Sequence, residues 1–226
     1  MKKLIVPIVL AIILIGGGMY YFSNRQGDQQ APSKPANGYQ KPPAVTEKPP
    51  VAESKLTTYE TQQGGFNVTY PVRFATTNMP GERRIAGSLL DGYYNEAGLL
   101  GFVGIYIPDN EFPSTNFSEA EVNISATGAR PCDVTRYASG LTAAGTAEIS
   151  GRTFNKYTSS GAAAGNIYDT TVYSRSDGDE CFVIEEVVHS TNLANYDPGS
   201  GVTAYDAARL RELLDSIVDG FRITAL

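Results

Sequence analysis

The residues best suited to acid/base chemistry lie near the end of the chain, within one apolar run. His189 is the single histidine, and Glu185 and Glu186 precede it by a few residues. An imidazole near carboxylates can serve as a general base for a hydroxyl group or a water molecule. One hypothesis is therefore a cell-envelope hydrolase that draws its acid and base residues from Glu185, Glu186, Asp169 and His189.

The same run argues against a catalytic triad. Ser190 directly follows His189, and successive residues of a strand point to opposite faces of the sheet. The chain also lacks a Gly-x-Ser-x-Gly nucleophile turn. We therefore predict that the protein is not an enzyme. Glu185 and Glu186 are then expected to form structural ion pairs, for which the candidate partners are Arg136, Arg152 and Arg175, because a buried carboxylate needs a partner. The alternative is that they mark a polar pocket.

Polar residues after this run form a loop with two alternative roles. The segment Asn192–Asp197 is polar, carries one aromatic residue and leads into Pro198-Gly199-Ser200-Gly201. Such loops can bind partners, and they can also serve only to introduce a helix. The candidate binding residues are Glu185, His189, Asn192 and Tyr196.

Neither a metal nor a cofactor is predicted. One histidine and two widely separated cysteines lack the ligand spacing of a zinc site. Asp177-Gly178-Asp179-Glu180 resembles a calcium loop in composition alone, because the spaced ligands of an EF-hand are absent. The glycines at 64–65 and 161–165 match no nucleotide-binding motif.

Cys132 and Cys181 are the two cysteines of the chain. In an oxidising compartment an even number of cysteines indicates a disulfide, and closing a loop of about 50 residues stabilises a domain by about 4 kcal/mol. A reactive thiol is the alternative. It is disfavoured because Asp179-Glu180 precedes Cys181, and acidic neighbours do not lower a thiol pKa.

The elements that must position these residues are mainly short strands. Phe66–Tyr70 alternates apolar and polar residues and ends at Pro71, as a half-buried strand does. Apolar residues occupy both odd- and even-numbered positions in Leu99–Ile107 and in Cys181–His189. This pattern predicts strands that are covered on both faces. Turns are predicted at Asp91-Gly92, Ser150-Gly151 and Asp177-Gly178. Further strands are predicted at Phe117–Ala126, Thr146–Ile149, Thr153–Ser159, Asn166–Ser174 and Phe221–Thr224.

One helix is predicted near the end of the chain. Leu210, Leu213, Leu214 and Ile217 recur at helical spacing and form a single apolar stripe. Thr203 with Asp206 resembles a capping box, Asp206 and Arg209 are spaced to pair, and Gly220 provides a stop. The final strand is expected to return beside the sheet that the helix covers. The predicted class is α+β, a mainly antiparallel sheet with helices packed on its faces.

Two sets of residues resemble known families. Gly65-Phe66-Asn67-Val68-Thr69-Tyr70-Pro71 and the ending around Leu213–Phe221 resemble the PsbP-like superfamily. Gly165–Thr171, His189–Asn192 and Asn195-Tyr196 resemble membrane-anchored proteins of candidate-phylum bacteria. The first resemblance implies an α/β/α sandwich and a non-catalytic role, often in binding or in supporting an assembly.

The N-terminal segment predicts a membrane anchor. Lys2 and Lys3 precede Leu4–Phe22, a run of 19 residues without a charge. As a helix this run is about 28 Å long, close to the hydrocarbon thickness of a bilayer of about 30 Å. A cleaved signal peptide is the alternative, but no small-x-small cleavage site follows the run. The positive-inside rule then places the remainder of the chain outside the cytoplasm of a bacterial cell, with a single membrane pass.

The remaining chain divides by composition into a linker and a domain. Residues 24–56 are rich in Pro, Lys and Gln and cannot form a core. Residues 57–226 suffice for one domain and carry 11 Lys and Arg against 21 Asp and Glu, a net charge of −10. A nucleic-acid partner needs a basic face and is disfavoured. With residues 1–23 as the anchor, the sequence predicts a membrane-tethered extracytoplasmic module that binds or supports a protein or another envelope partner.

Overall fold

The computed structural model describes residues 55–85 and 88–224. The predicted anchor at residues 1–23 and nearly all of the linker at residues 24–56 lie outside this part of the chain. Among the described residues, no helix has both the length and the apolar composition needed to cross a membrane.

Strands dominate the described part of the chain, as the alternating sequence pattern predicts. A sheet of seven strands has the order β3-β4-β5-β9-β8-β7-β6, and every neighbouring pair is antiparallel. A second sheet of three strands has the order β1-β2-β10 and is also antiparallel. The strands are β1 Leu56–Glu60, β2 Phe66–Pro71, β3 Ala75–Thr77, β4 Leu99–Pro108, β5 Phe117–Thr127, β6 Thr142–Ile149, β7 Arg152–Ala163, β8 Asn166–Asp177, β9 Glu180–Thr191 and β10 Phe221–Ile223.

Two α-helices cover the larger sheet. Helix α1, Asp91–Glu96, lies on one face, and helix α2, Ala207–Val218, lies on the other together with the three-stranded sheet. The predicted α+β class, with a mainly antiparallel sheet and helices on its faces, is therefore confirmed for residues 55–85 and 88–224.

The central strands carry apolar residues at both odd- and even-numbered positions because both of their faces are covered. In β9, Phe182 and Ile184 enter the core beneath α2, whereas Val183 enters the core beneath α1. All three side chains are almost completely buried. The prediction of central strands at Leu99–Ile107 and Cys181–His189 is confirmed by the positions of β4 and β9.

The core beneath α2 joins the two sheets through aromatic side chains. The ring of Phe221 lies 5.7 Å from that of Phe66, 6.1 Å from that of Phe154 and 6.2 Å from that of Phe182. Phe221 therefore connects the small sheet to the large one. The final strand pairs with β2 in the small sheet, and α2 contacts β2, so this strand lies beside a sheet that the helix packs against.

A glycine is required where α2 turns into β10. A Cβ atom on Gly220 would lie 2.1 Å from the carbonyl oxygen of Thr69, and the Thr69 N–H donates to the Gly220 carbonyl at 3.1 Å. Gly220 thus ends the helix through close backbone approach. Its place after the helix agrees with the sequence prediction.

The start of α2 differs from the prediction. Asp206 is itself the N-cap, and its carboxylate accepts a hydrogen bond from the Arg209 N–H at 3.0 Å. Thr203 instead donates its backbone N–H to Ser114. The Arg209 guanidinium lies 3.7 Å from Glu111, so the predicted pairing of the Asp206 and Arg209 side chains is wrong.

The dipeptide Asp91-Gly92 opens helix α1, so the turn predicted there is wrong. Tyr93 and Tyr94 on this helix are buried against the sheet, and their burial outweighs the turn preference of the dipeptide. The other two predicted turns join β6 to β7 and β8 to β9.

The predicted disulfide between Cys132 and Cys181 is present, with the two Cα atoms 5.2 Å apart. It attaches the loop before β6 to the first residues of β9, on the face that α1 covers. Both cysteines of the chain are thereby used, so the reactive-thiol alternative is wrong.

Candidate functional site

A cavity of about 160 Å³ lies between the beginning of α2 and the strands β8 and β9. Its mouth is formed by exposed residues, and its floor is formed by the buried side of the helix and the sheet. Pockets for drug-sized ligands measure about 300–1,000 Å³, so this cavity suits a much smaller group. Its lining consists of Asp169, Thr171, Glu186, Val188, Tyr205, Ala207, Leu210, Arg211 and Leu214.

The floor of the cavity holds a buried ion pair. The Arg211 guanidinium donates to both carboxylate oxygens of Glu186, with Nη1 2.8 Å from Oε2. The Nε atom of Arg211 also lies 2.9 Å from a carboxylate oxygen of Asp215. This bidentate contact links the helix to the sheet and occupies both oxygens of Glu186.

The two members of the pair respond differently to burial. Burial raises the pKa of Glu186, while the hydrogen bond and the charge of Arg211 act in the opposite direction. Burial by itself would lower the pKa of Arg211, but the contact with Glu186 outweighs it and raises that pKa. The guanidinium therefore stays protonated, and Glu186 is held beside a permanent cation.

The mouth of the cavity carries an exposed carboxylate. Asp169 lies on β8, and in the described part of the chain no basic side chain forms a salt bridge with it. Burial, followed by the negative charge of Asp169, raises the pKa of the Tyr205 hydroxyl. Asp169 and Tyr205 thus provide polar groups above apolar walls formed by Val188, Leu210 and Leu214.

Glu185 lies on the opposite face of the large sheet, fully buried beneath helix α1. Its carboxylate accepts hydrogen bonds from Ser88 Oγ at 2.8 Å, the Leu89 N–H at 3.1 Å, the Tyr94 hydroxyl at 3.0 Å and Asn123 Nδ2 at 3.2 Å. Burial raises the pKa of Glu185, and these donors oppose the increase. Its surroundings suit a structural anchor for the segment around α1.

The arginines predicted to pair with Glu185 and Glu186 differ from those that the structure places beside them. Arg211 pairs with Glu186, and Arg83 Nη1 lies 4.0 Å from Glu185. The three arginines proposed from the sequence lie elsewhere. Arg152 pairs with Asp177, Arg175 donates to the Thr153 carbonyl, and Arg136 lies in a short 3-10 helix before β6.

A third buried carboxylate, Glu121, lies near Glu185 and was missed by sequence reasoning. Burial raises its pKa, and the Arg84 and Ile85 N–H groups approach it at 3.5 and 3.4 Å. The signal was available in the sequence. Glu121, Asn123 and Ser125 alternate with apolar residues along β5, which indicates a polar stripe on one face.

His189 lies on the same sheet face as Glu185, nearer the end of β9. Its Nδ1 atom lies 3.1 Å from Glu119, its Nε2 atom lies 2.9 Å from Asn166 Oδ1, and its ring stacks on Tyr168 with centroids 4.5 Å apart. Both ring nitrogens are thus occupied by neighbours. Ser190 is buried and points to the other face, as predicted from strand geometry.

The remaining candidate binding residues lie in the loop after β9. The Asn192 side chain accepts from the Ala194 N–H at 2.9 Å, and the Tyr196 hydroxyl lies 2.6 Å from Thr191 Oγ1. Neither residue lines the cavity described above, and neither do Glu185 and His189. A binding role for these four residues stays a prediction.

The hydrolase hypothesis drew on four residues, which the structure separates into two groups. Asp169 and Glu186 line the cavity, whereas Glu185 and His189 lie on the opposite face of the sheet. Residues 55–85 and 88–224 contain no cluster of three or more His, Cys, Asp or Glu side chains that could hold a metal ion.

Comparison with known proteins gives a likeness to solved structures alone. No family model matches the chain, and no curated protein matches it. The chain is similar to the solution structure of cyanobacterial PsbP (CyanoP) from Synechocystis sp. PCC 6803, with 10% sequence identity and a TM-score of 0.33. The match covers 79% of this chain and 98% of that one. Membership of the PsbP-like superfamily and the resemblance to candidate-phylum proteins stay predictions.

Proposed function

We propose that the chain is a non-enzymatic binding module that is tethered to the outer face of a bacterial cell membrane and binds a ligand in the cavity beside α2. The tether rests on the uncharged run Leu4–Phe22 and the proline-rich segment that follows it. The extracytoplasmic location is supported by the disulfide, which forms and persists in oxidising compartments.

The observation that carries a binding role is the bidentate contact between Glu186 and Arg211. A general acid or base must exchange a proton with its substrate, so its carboxylate must be able to reach the reacting atom. Both oxygens of Glu186 are engaged by the guanidinium. The cavity is therefore better equipped to hold a small group than to transform one.

The hydrolase is the second candidate because two carboxylates, Asp169 and Glu186, line one cavity. Hydrolysis of an ester or a glycoside by the purified chain would favour this candidate if it disappeared in Asp169→Asn or Glu186→Gln while the variant stayed folded. In a binding module, Asp169 at the exposed mouth and Glu186 in its ion pair on the floor have no catalytic role. We therefore expect no turnover that depends on either carboxylate.

The binding role is tested by titrating the full-length chain in detergent micelles with butylamine, butyrate and butanol. These probes share a four-carbon body and differ in charge. Amide chemical shifts of Thr171, Val188 and Leu210 report on the cavity. We expect at least one probe to change these amide chemical shifts, and the change should saturate as the probe concentration rises. If no probe changes them in this way, the binding role is contradicted.

Two variants locate the binding. Ala207 lines the cavity, and the adjacent Ala208 is exposed on the same helix but does not line it. Ala207→Phe should fill the mouth and abolish the perturbation. Ala208→Phe should preserve it, because it adds the same ring outside the cavity. Equal responses from the two variants would contradict binding at this site.

A further inference from the structure

We infer that the cavity beside α2 accepts an aliphatic primary ammonium group, carried either by a small free amine or by a lysine side chain. This inference rests on the binding role proposed above and adds the chemical class of the ligand. It is drawn from the charge, the size and the hydrogen-bonding capacity of the cavity.

Charge favours a cation. Asp169 and Glu186 contribute two negative charges to the lining, and Arg211 contributes one positive charge. Because Arg211 already binds Glu186 with two donors and lies beside Asp215, its charge is neutralised within the protein. The carboxylate of Asp169 is left at the mouth, where an incoming cation can pair with it.

The start of α2 does not reverse this preference. A helix N-terminus carries a partial positive charge that attracts anions. Here that position is already filled by the carboxylate of Asp206, which accepts from the Arg209 N–H. An anionic ligand would therefore compete with Asp206 and would also approach Asp169.

Size and lining favour a short aliphatic stem. A cavity of about 160 Å³ is about half the volume of the smallest pockets that hold drug-sized ligands, so it suits a ligand of few atoms. A butylammonium ion, or the side chain of lysine beyond Cα, has about five non-hydrogen atoms. Its methylene groups would contact Val188, Leu210 and Leu214, while its ammonium group would reach Asp169 and the Tyr205 hydroxyl.

An ammonium group fits this mouth better than a guanidinium group. The guanidinium is planar, favours bidentate contact with a carboxylate and is a larger head group than an ammonium. The ammonium is a compact charge with three donors, which can contact Asp169 and Tyr205 at the same time.

The test compares probes and variants in the same titration of the full-length chain. We expect butylamine to bind with a dissociation constant in the millimolar range, as suits a ligand of this size, and to bind more tightly than butyrate or butanol. Asp169→Asn should weaken butylamine binding by about two- to fivefold, which lies within the range for an exposed ion pair. Glu212→Gln removes the same charge from an exposed position outside the cavity and should leave the affinity unchanged.

Two further probes complete the test. Nα-acetyl-lysine methylamide should bind if the natural group is a lysine side chain, and binding of butylamine alone indicates a free amine. Tighter binding of butylguanidine than of butylamine would overturn the inference, as would equal losses in Asp169→Asn and Glu212→Gln. Binding of butyrate or butanol without butylamine would overturn this inference and leave the binding role standing, whereas binding by none of the probes would overturn both.

Discussion

The pair between Glu186 and Arg211 can be tested by removing the cation. Arg211→Met keeps an aliphatic stem of similar length and leaves the carboxylate of Glu186, which is 1% exposed, without its partner. Removing one member of a fully buried ion pair costs about 3–5 kcal/mol. Because the Arg211 side chain is 40% exposed, water can partly solvate the remaining charge, and we expect a loss of about 2 kcal/mol at neutral pH.

The loss should depend on pH because the pKa of Glu186 is raised in the folded protein. A carboxyl group whose pKa is raised by folding contributes stability that is fully present below its ordinary pKa of 4.5. This contribution is lost as the pH rises through the pKa of the group in the folded protein. Arg211 opposes the increase, so Arg211→Met should raise this pKa further. The difference in unfolding free energy between wild type and variant should therefore be small at pH 4 and grow toward pH 7.

Urea unfolding of the full-length chain, followed by circular dichroism at pH 4 and pH 7, measures this difference. Arg209→Met is the matched control. Arg209 is exposed on the same helix, and its guanidinium lies 3.7 Å from a carboxylate oxygen of Glu111. We expect the control to cost less than about 1 kcal/mol at either pH. Equal costs for the two variants, or a cost for Arg211→Met that is the same at both pH values, would refute a stabilising role for the pair.

Three further predictions concern packing, the disulfide and the anchor. Leu214→Ala should cost about 2–5 kcal/mol in urea unfolding and Leu213→Ala clearly less, because Leu214 is buried and Leu213 is half-buried; the reverse order would show that α2 is docked by a different face. Thiol labelling of the denatured, unreduced chain should find no free cysteine, and replacing Cys132 and Cys181 by Ser should cost about 4 kcal/mol; two labelled cysteines in the wild type would contradict the bridge. Intact mass of the membrane fraction should show a chain that retains Leu4–Phe22, and a mature chain that begins after residue 18 would indicate a cleaved signal peptide instead.

Local patterns predicted the central part of the fold well. Apolar residues at both odd- and even-numbered positions of Cys181–His189 predicted a strand that is covered on both faces. The corresponding strand, β9, is the fourth of the seven strands in the large sheet. The stripe of leucines located α2 because its spacing reflects contact with one core. These predictions succeed because neighbouring residues in the sequence report directly on the burial of the same element.

Features that depend on distant pairing could not be predicted in the same way. The small sheet forms when Val68 pairs with Phe221, which lies far along the chain, and β10 is only three residues long. The partner of Glu186 was misassigned for the same reason, since Arg211 reaches it from a separate helix. The cavity itself exists only after β8, β9 and α2 have come together, so neither composition nor spacing identified it.

Nuclear Overhauser effects between butylamine and the full-length chain test the ligand site most directly. If butylamine binds beside α2, its methylene protons should contact the methyl groups of Val188, Leu210 and Leu214, with no such contacts in Ala207→Phe and unchanged contacts in Ala208→Phe. Contacts confined to residues outside the cavity, or cavity contacts that persist in Ala207→Phe, would contradict a ligand site beside α2.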